Sequence, residues 1–191
     1  MAETTRSFMA LRLPPEMIRV AAEIQDAIKR SFPPGSIKWV DPALFHLTVR
    51  FFGELDRKAL DKAGSVVDGL DHAFAPVTVR FDGASAFPSP SRPQTLWIAV
   101  NDREGKLEAL ALEVDRRIRA AGFGPPDKPW KSHLTIGRAG RDARLRVDPE
   151  WTGGLTWPPA DFTIGSVALM QSELRPQGPR YTPLRTASAS S

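Results

Sequence analysis

Two histidines occupy near-identical settings, His46-Leu47-Thr48-Val49 and His133-Leu134-Thr135-Ile136, 87 positions apart in a chain with only three histidines. Imidazole, with an ordinary pKa of about 6.5, can serve as base or acid near neutrality. Two of them facing one cavity can divide the work. A neutral ring takes a proton from water and a protonated ring gives one to a departing oxygen, each transfer contributing roughly 10²–10⁴ in rate. On a strand, the threonine two residues further on points the same way, and its hydroxyl can hydrogen-bond a phosphoryl oxygen. The charge on that group needs a cation, for which Arg138 and Arg50 are the candidates. Acid, base and oxyanion donors around one phosphorus are the parts needed to open a cyclic phosphodiester in line. A zinc site is the chemical competitor, but zinc usually recruits three or four protein ligands. Here there is no cysteine, and no carboxylate lies three or four residues after either histidine. No metal and no cofactor are expected. His72, in Asp71-His72-Ala73-Phe74, reads as a surface residue at the end of a helix.

The elements that must carry these residues follow from hydrophobic period. SFMALRL at 7–13 reads as an opening strand, and Pro14-Pro15 suits a helix start, where a missing N–H costs little. Met17, Val20, Ala21, Ile24 and Ile28 recur at helical spacing, predicting a helix over 15–31 that stops at Pro33-Pro34-Gly35. IKWV at 37–40 is short and β-prone. Over 46–52 the sequence alternates, with Leu47, Val49 and Phe51 on one face and His46, Thr48, Arg50 and Phe52 on the other. Leu60, Ala63, Val67, Leu70 and Phe74 predict a second helix, 76–83 a strand, and Pro88, Pro90 and Pro93 a loop. TLWIAV at 95–100 is a strand. Leu107, Leu110, Val114, Ile118 and Ala121 define a third helix, closed by Gly122 and Gly124. Residues 133–138 alternate as the first motif does, 161–172 read as one long strand, and the polar stretch 186–191 as a disordered tail.

The order repeats itself. From the strand at 7 through a helix to His46 is 39 residues, and from the strand at 95 through a helix to His133 is 38. Two such units predict a duplicated architecture with pseudo-twofold symmetry, in which the equivalent strands meet across a central groove. The equivalent strands would then bring both histidines to that groove.

Bulk properties narrow the function classes. At 191 residues, 41% hydrophobic and 25% charged, the chain suits a single soluble domain spanning 1–191. Without cysteine there is neither a disulfide framework nor a thiolate metal site. MAETTRSF is too polar for a secretory segment, and no apolar run approaches about 18 residues, so a cytoplasmic protein without membrane contact is expected. Monomer is the default. The net charge of +4 is concentrated in Lys128, Lys131, Arg138, Arg141, Arg144 and Arg146 against Asp142 alone, beside the second motif, where it suits a phosphate-bearing ligand.

At these residues the chain resembles the two-histidine (2H) phosphoesterases, in particular the RNA 2′,3′-cyclic phosphodiesterase branch, also called LigT-like or 2′-5′ RNA ligase. The signature His-x-Thr-x is matched twice, by His46-Leu47-Thr48-Val49 and His133-Leu134-Thr135-Ile136. KWVDPALFHLTVRFFGEL resembles the first motif region down to its Phe-x-Gly-Glu ending, and KPWKSHLTIGR the second, with Arg138 where the family often has a basic residue. FMALRLP and RYTPLRT resemble the opening and closing segments, so the likeness spans nearly the whole chain.

The resemblance implies an α+β, duplicated fold of two pseudo-twofold-related lobes, each an antiparallel sheet with outer helices, with both motifs in the groove between them. It also implies metal-independent hydrolysis of RNA ends or nucleotides carrying a 2′,3′-cyclic phosphate, to 2′-phosphomonoesters. His46 would be the proton donor to the departing O3′, His133 the proton acceptor from water, and Thr48 and Thr135 the phosphate holders. Two alternatives stand beside it, a non-catalytic module that binds RNA ends, and 2′-5′ ligation by the reverse chemistry. Ser132 departs from the proline that many members carry before the second histidine. Strict alternation would also turn Arg138 away from Thr135, so a bulge is needed to bring it to phosphate, with Arg50 as the substitute. Trp39 and Trp130 are candidate base-stacking side chains.

Overall fold

The structure, a computed structural model, describes residues 3–140 and 145–190. In chain order it runs β1 (Thr5–Arg12), α1 (Pro15–Lys29), β2 (Ile37–Trp39), β3 (His46–Leu55), α2 (Arg57–Asp68) and β4 (Val77–Ser89). It continues with β5 (Arg92–Asn101), α3 (Lys106–Ala120), β6 (His133–Ala139), β7 (Phe162–Ile164), β8 (Ser166–Arg175) and β9 (Gly178–Ser188). α1 opens on Pro15 with Glu16 in its first turn and Lys29 in its last, both favourable to the helix dipole. α2 is capped by Asp56, whose carboxylate accepts from the Ala59 N–H at 2.8 Å.

The strands form two antiparallel sheets, ordered β3-β1-β8-β9 and β2-β6-β5-β4-β7. The first four strands match β6-β5-β4-β7 of the second sheet position for position, with β2 added outside β6. Thus β1-α1-β3 and β5-α3-β6 are the two repeats, and β3 approaches β6 where the sheets meet. Met9, Leu11, Leu47 and Val167 of one sheet share a continuous core with Leu96, Ile98, Leu134 and Ile136 of the other, covered by the apolar faces of α1, α2 and α3. This is the duplication that the repeat predicts and the α+β, two-lobed arrangement that the resemblance implies.

The helices cross over between repeats. From α1, the buried Gln25 amide donates to Ile136 O of β6 and to Val40 O, both at 2.8 Å. From α3, Asp115 lies 3.3 Å from the Arg50 guanidinium of β3. Each helix therefore supports the motif strand of the other repeat.

Four expectations about elements are corrected. The proline loop is instead the end of a hairpin, with Pro88 opposite Pro93 and Ser89 opposite Arg92. Proline lacks an N–H and is tolerated at such a strand end. The long strand at 161–172 is two strands interrupted at Gly165, β7 pairing with β4 and β8 with β1. The second helix ends at Asp68, capped by Gly69, rather than running to Phe74. Residues 186–190 are held: Ser188 pairs with Ser166 and accepts from His72 N, and Ser190 N donates to Phe74 O at 2.8 Å. His72 is exposed, as expected, but in a turn beyond α2 rather than at the end of a helix. No helix among the described residues is long and apolar enough to cross a membrane.

Candidate active site

A groove with a cavity of about 480 Å³ is lined by both histidines and both threonines of the two motifs, together with Arg138. Each imidazole is locked in the same way. His46 Nδ1 lies 2.7 Å from Leu44 O, and His133 Nδ1 lies 2.7 Å from Lys131 O. A carbonyl oxygen can only accept, so each Nδ1 carries its hydrogen and each neutral ring keeps its lone pair on Nε2. His46 Nε2 is 3.0 Å from Thr48 Oγ1. Phe8 and Tyr181 pack on the His46 ring, with centroids 4.8 and 5.3 Å away.

Burial lowers the His46 pKa below its ordinary value, opposed by the Leu44 carbonyl and reinforced by the charges of Arg138 and His133. Burial likewise lowers the pKa of His133, opposed by the Lys131 carbonyl and reinforced by Arg138 and the Lys131 ammonium. Burial raises the pKa of Tyr181, leaving its phenol a neutral hydrogen-bond donor. In the free groove both imidazoles are therefore neutral at pH 7. An arriving phosphodiester anion offsets Arg138 and favours protonation of one of them.

Register explains how Arg138 joins the motif. Along β6 the pairing with β5 passes from Thr135↔Trp97 to Gly137↔Leu96, leaving Ile136 as an extra residue. This bulge resets the alternation, so Ile136 and Gly137 are both buried and Arg138 returns to the face of His133 and Thr135. There its guanidinium donates to Thr95 Oγ1 at 3.1 Å. The bulge is held from outside, since Ile136 O accepts from both the Gln25 amide and the Val40 N–H. Gly137 is required by packing, because a Cβ there would lie 2.7 Å from Ile37 Cγ2 and 3.0 Å from Trp39 Cε3.

The sequence profile of the LigT-like phosphoesterases matches residues 11–97. The chain is 31% identical to the RNA 2′,3′-cyclic phosphodiesterase of Archaeoglobus fulgidus over 87% of its own length and 96% of that protein's. It is 34% identical to the Thermus thermophilus protein of the same name over 94% and 87% of the two lengths. The chain belongs to the LigT-like phosphoesterases. It is accordingly an enzyme, which sets aside the non-catalytic binding module. A crystal structure of a Thermus thermophilus protein superposes with a TM-score of 0.78 at 29% identity, covering 97% of this chain and 98% of that one. E. coli LigT complexed with 3′-AMP shares the fold, with a TM-score of 0.75 at 21% identity over 99% and 100% of the chains.

Within this family member, two candidate site residues lie elsewhere than expected. β3 carries the same bulge as β6, its register passing from Thr48↔Ala10 to Arg50↔Met9 with Val49 extra. Arg50 is consequently turned into the interior, 7% exposed, where it meets Asp115 and donates to Gly124 O. It does not line the groove. Trp130 does not either: its indole N–H donates to Thr48 O at 2.9 Å, tying the segment before His133 to the strand of His46. Trp39 does line the groove, edge-on to Phe32 at 5.9 Å. Of the basic cluster, Arg138 is the member that lines the groove among the described residues, while Arg141, Asp142 and Arg144 lie outside them. Ser132 precedes β6 with its hydroxyl buried and, among the described residues, unpartnered.

Alternation alone missed several lining residues. The bulge brings Phe51 to the groove, 51% exposed, with the Arg6 guanidinium 4.6 Å from its ring centroid. Arg6 and Phe8 share one face of β1, and their period-two spacing was the available signal. Ser172 and Tyr181 face each other across β8 and β9. Tyr181 is the single tyrosine of the chain.

Proposed function

We propose that this enzyme hydrolyses RNA 2′,3′-cyclic phosphate ends to 2′-phosphomonoesters with His46 and His133 as a proton-transferring pair, without a metal. The observation that carries the reading is that two imidazoles, each with Nδ1 engaged by a backbone carbonyl, present Nε2 to one groove. In the reaction, His133 Nε2 takes a proton from water as its oxygen bonds to phosphorus. The P–O3′ bond breaks, and His46 Nε2–H delivers a proton to O3′. One water is consumed, and the 2′-oxygen keeps the phosphate. His133 is the more solvent-exposed ring, as suits the one that must receive water, and His46 is the more enclosed. Arg138 with Thr48 and Thr135 neutralises and hydrogen-bonds the non-bridging oxygens as charge develops on them. Phe51 under Arg6, and Trp39, offer faces to the terminal base.

The test is turnover of an oligoribonucleotide with a 2′,3′-cyclic phosphate end in excess EDTA, with the product's phosphate position determined. The expected result is undiminished formation of the 2′-phosphomonoester. Activity abolished by EDTA and restored by a divalent metal, or a 3′-phosphate product, would overturn the reading. Under the same conditions, a 2′-5′ linked product with a 5′-hydroxyl acceptor would report the reverse reaction.

A further inference from the structure

The face of the five-stranded sheet that carries His133 continues past the groove. Cross-strand pairing aligns Thr135 with Trp97 and Ser85, and Arg138 with Thr95 and Phe87, so these side chains share one surface. Phe87 ends that surface. Its ring stands edge-on to His133 at 5.5 Å and packs against Trp97 at 5.3 Å, yet it is 38% exposed. The Lys131 ammonium lies 4.5 Å from the Trp97 ring centroid and 5.6 Å from that of Phe87. An accessible aromatic ring with a cation held against it, beside a phosphate site, has the chemistry of a second nucleotide position: the ring stacks a base and the ammonium meets a phosphate.

Resting on the proposed reading, the geometry points to Phe87 and Lys131 as a subsite for the nucleotide immediately 5′ of the cyclic end. Occupancy of that subsite makes an oligonucleotide end a better substrate than a free mononucleoside cyclic phosphate. Two observations commit the surface to this occupant. It is continuous with the phosphate site through the Phe87–Thr95–Arg138 row, and its charge is of the sign a polynucleotide backbone requires.

The experiment compares kcat/KM for a mononucleoside 2′,3′-cyclic phosphate with that for a dinucleotide bearing the same terminal nucleoside, in wild type, Phe87→Leu and Lys131→Met. Phe87→Leu keeps an apolar side chain and Lys131→Met keeps the length of the lysine without its charge, both at exposed positions, so the fold is retained. Effects on His133 itself act on both substrates and cancel in the ratio. Wild type is expected to prefer the dinucleotide by about 5- to 150-fold, the range associated with one stacked base, and each variant to lose most of that preference. A wild-type ratio near one, or ratios in both variants within two-fold of wild type, would overturn the subsite while leaving the hydrolytic reading intact. Failure of wild type to turn over either substrate would sink the hydrolytic reading instead. A concentration-dependent dimer abolished by Phe87→Leu, with the ratio unchanged, would make the patch a contact between copies and overturn the proposal.

Discussion

β3 and β6 begin with the same four-residue pattern and break alternation at the same place, but the residues around the break differ. Each has a bulge directly after its threonine, at Val49 in β3 and Ile136 in β6. Position by position, Arg50 then stands against Gly137, and Phe51 against Arg138. In β6 the buried position after the bulge is glycine, so β2 can close on it, and the next residue delivers a guanidinium to the groove. In β3 the buried position is itself an arginine, anchored on Asp115 and Gly124 O, and the next residue delivers an aromatic ring. One backbone device thus yields a phosphate-binding wall on one side and an apolar wall on the other. A duplicated scaffold has become a site with two unlike halves.

The comparison is broken most severely by removing either imidazole. His46→Ala and His133→Ala should each lower kcat/KM on a 2′,3′-cyclic phosphate end by about 10²–10⁴, with unchanged circular dichroism. Near-normal rate in one of them would remove that half from the chemistry. Arg50→Met tests the claim that the β3 arginine supports structure alone. It should cost about 3 kcal/mol of stability, at the low end for a broken buried pair, because Asp115 keeps Arg119 at 3.1 Å. Urea unfolding checks this. Loss of phosphate affinity with full stability would instead return Arg50 to the site. Gly137→Ala should destabilise by about 1–3 kcal/mol through the clash with Ile37 and Trp39, whereas an unchanged midpoint would deny that β2 needs the glycine. Smallest is Trp130→Phe, which leaves Thr48 O without its donor and should cost about 1 kcal/mol with a modest fall in kcat. Equal stability of the two proteins would remove this tie between the motif segments.

Both motif strands, the three helices and the repeat were legible because their apolar residues keep period, and the fold needs little more than that. The groove was half legible. His46, Thr48, His133 and Thr135 precede the bulges, so alternation orients them correctly. Arg50, Phe51 and Arg138 follow them, and an inserted residue leaves no mark in a strand of ordinary composition. Arg138 was placed only on condition of a bulge, and that same bulge in β3 is what withdrew Arg50. The end of β9 was misread for another reason. Thr186, Ser188 and Ser190 are small and polar, and an edge strand with one solvated face does not need apolar alternation when its backbone hydrogen bonds to β8 and to residues 72–74 are in place.

The pH dependence of kcat/KM in wild type and the two alanine variants tests the central claim most directly. A base must be neutral and an acid protonated, so wild type should give a bell. Both imidazole pKa values are lowered in the free groove, so its optimum should lie below pH 6.5, with kcat peaking at higher pH once the bound anion raises the acid's pKa. In the residual activities, His133→Ala should lose the acidic limb and His46→Ala the alkaline limb. Retention of both limbs in either variant would contradict two imidazoles acting across one phosphorus.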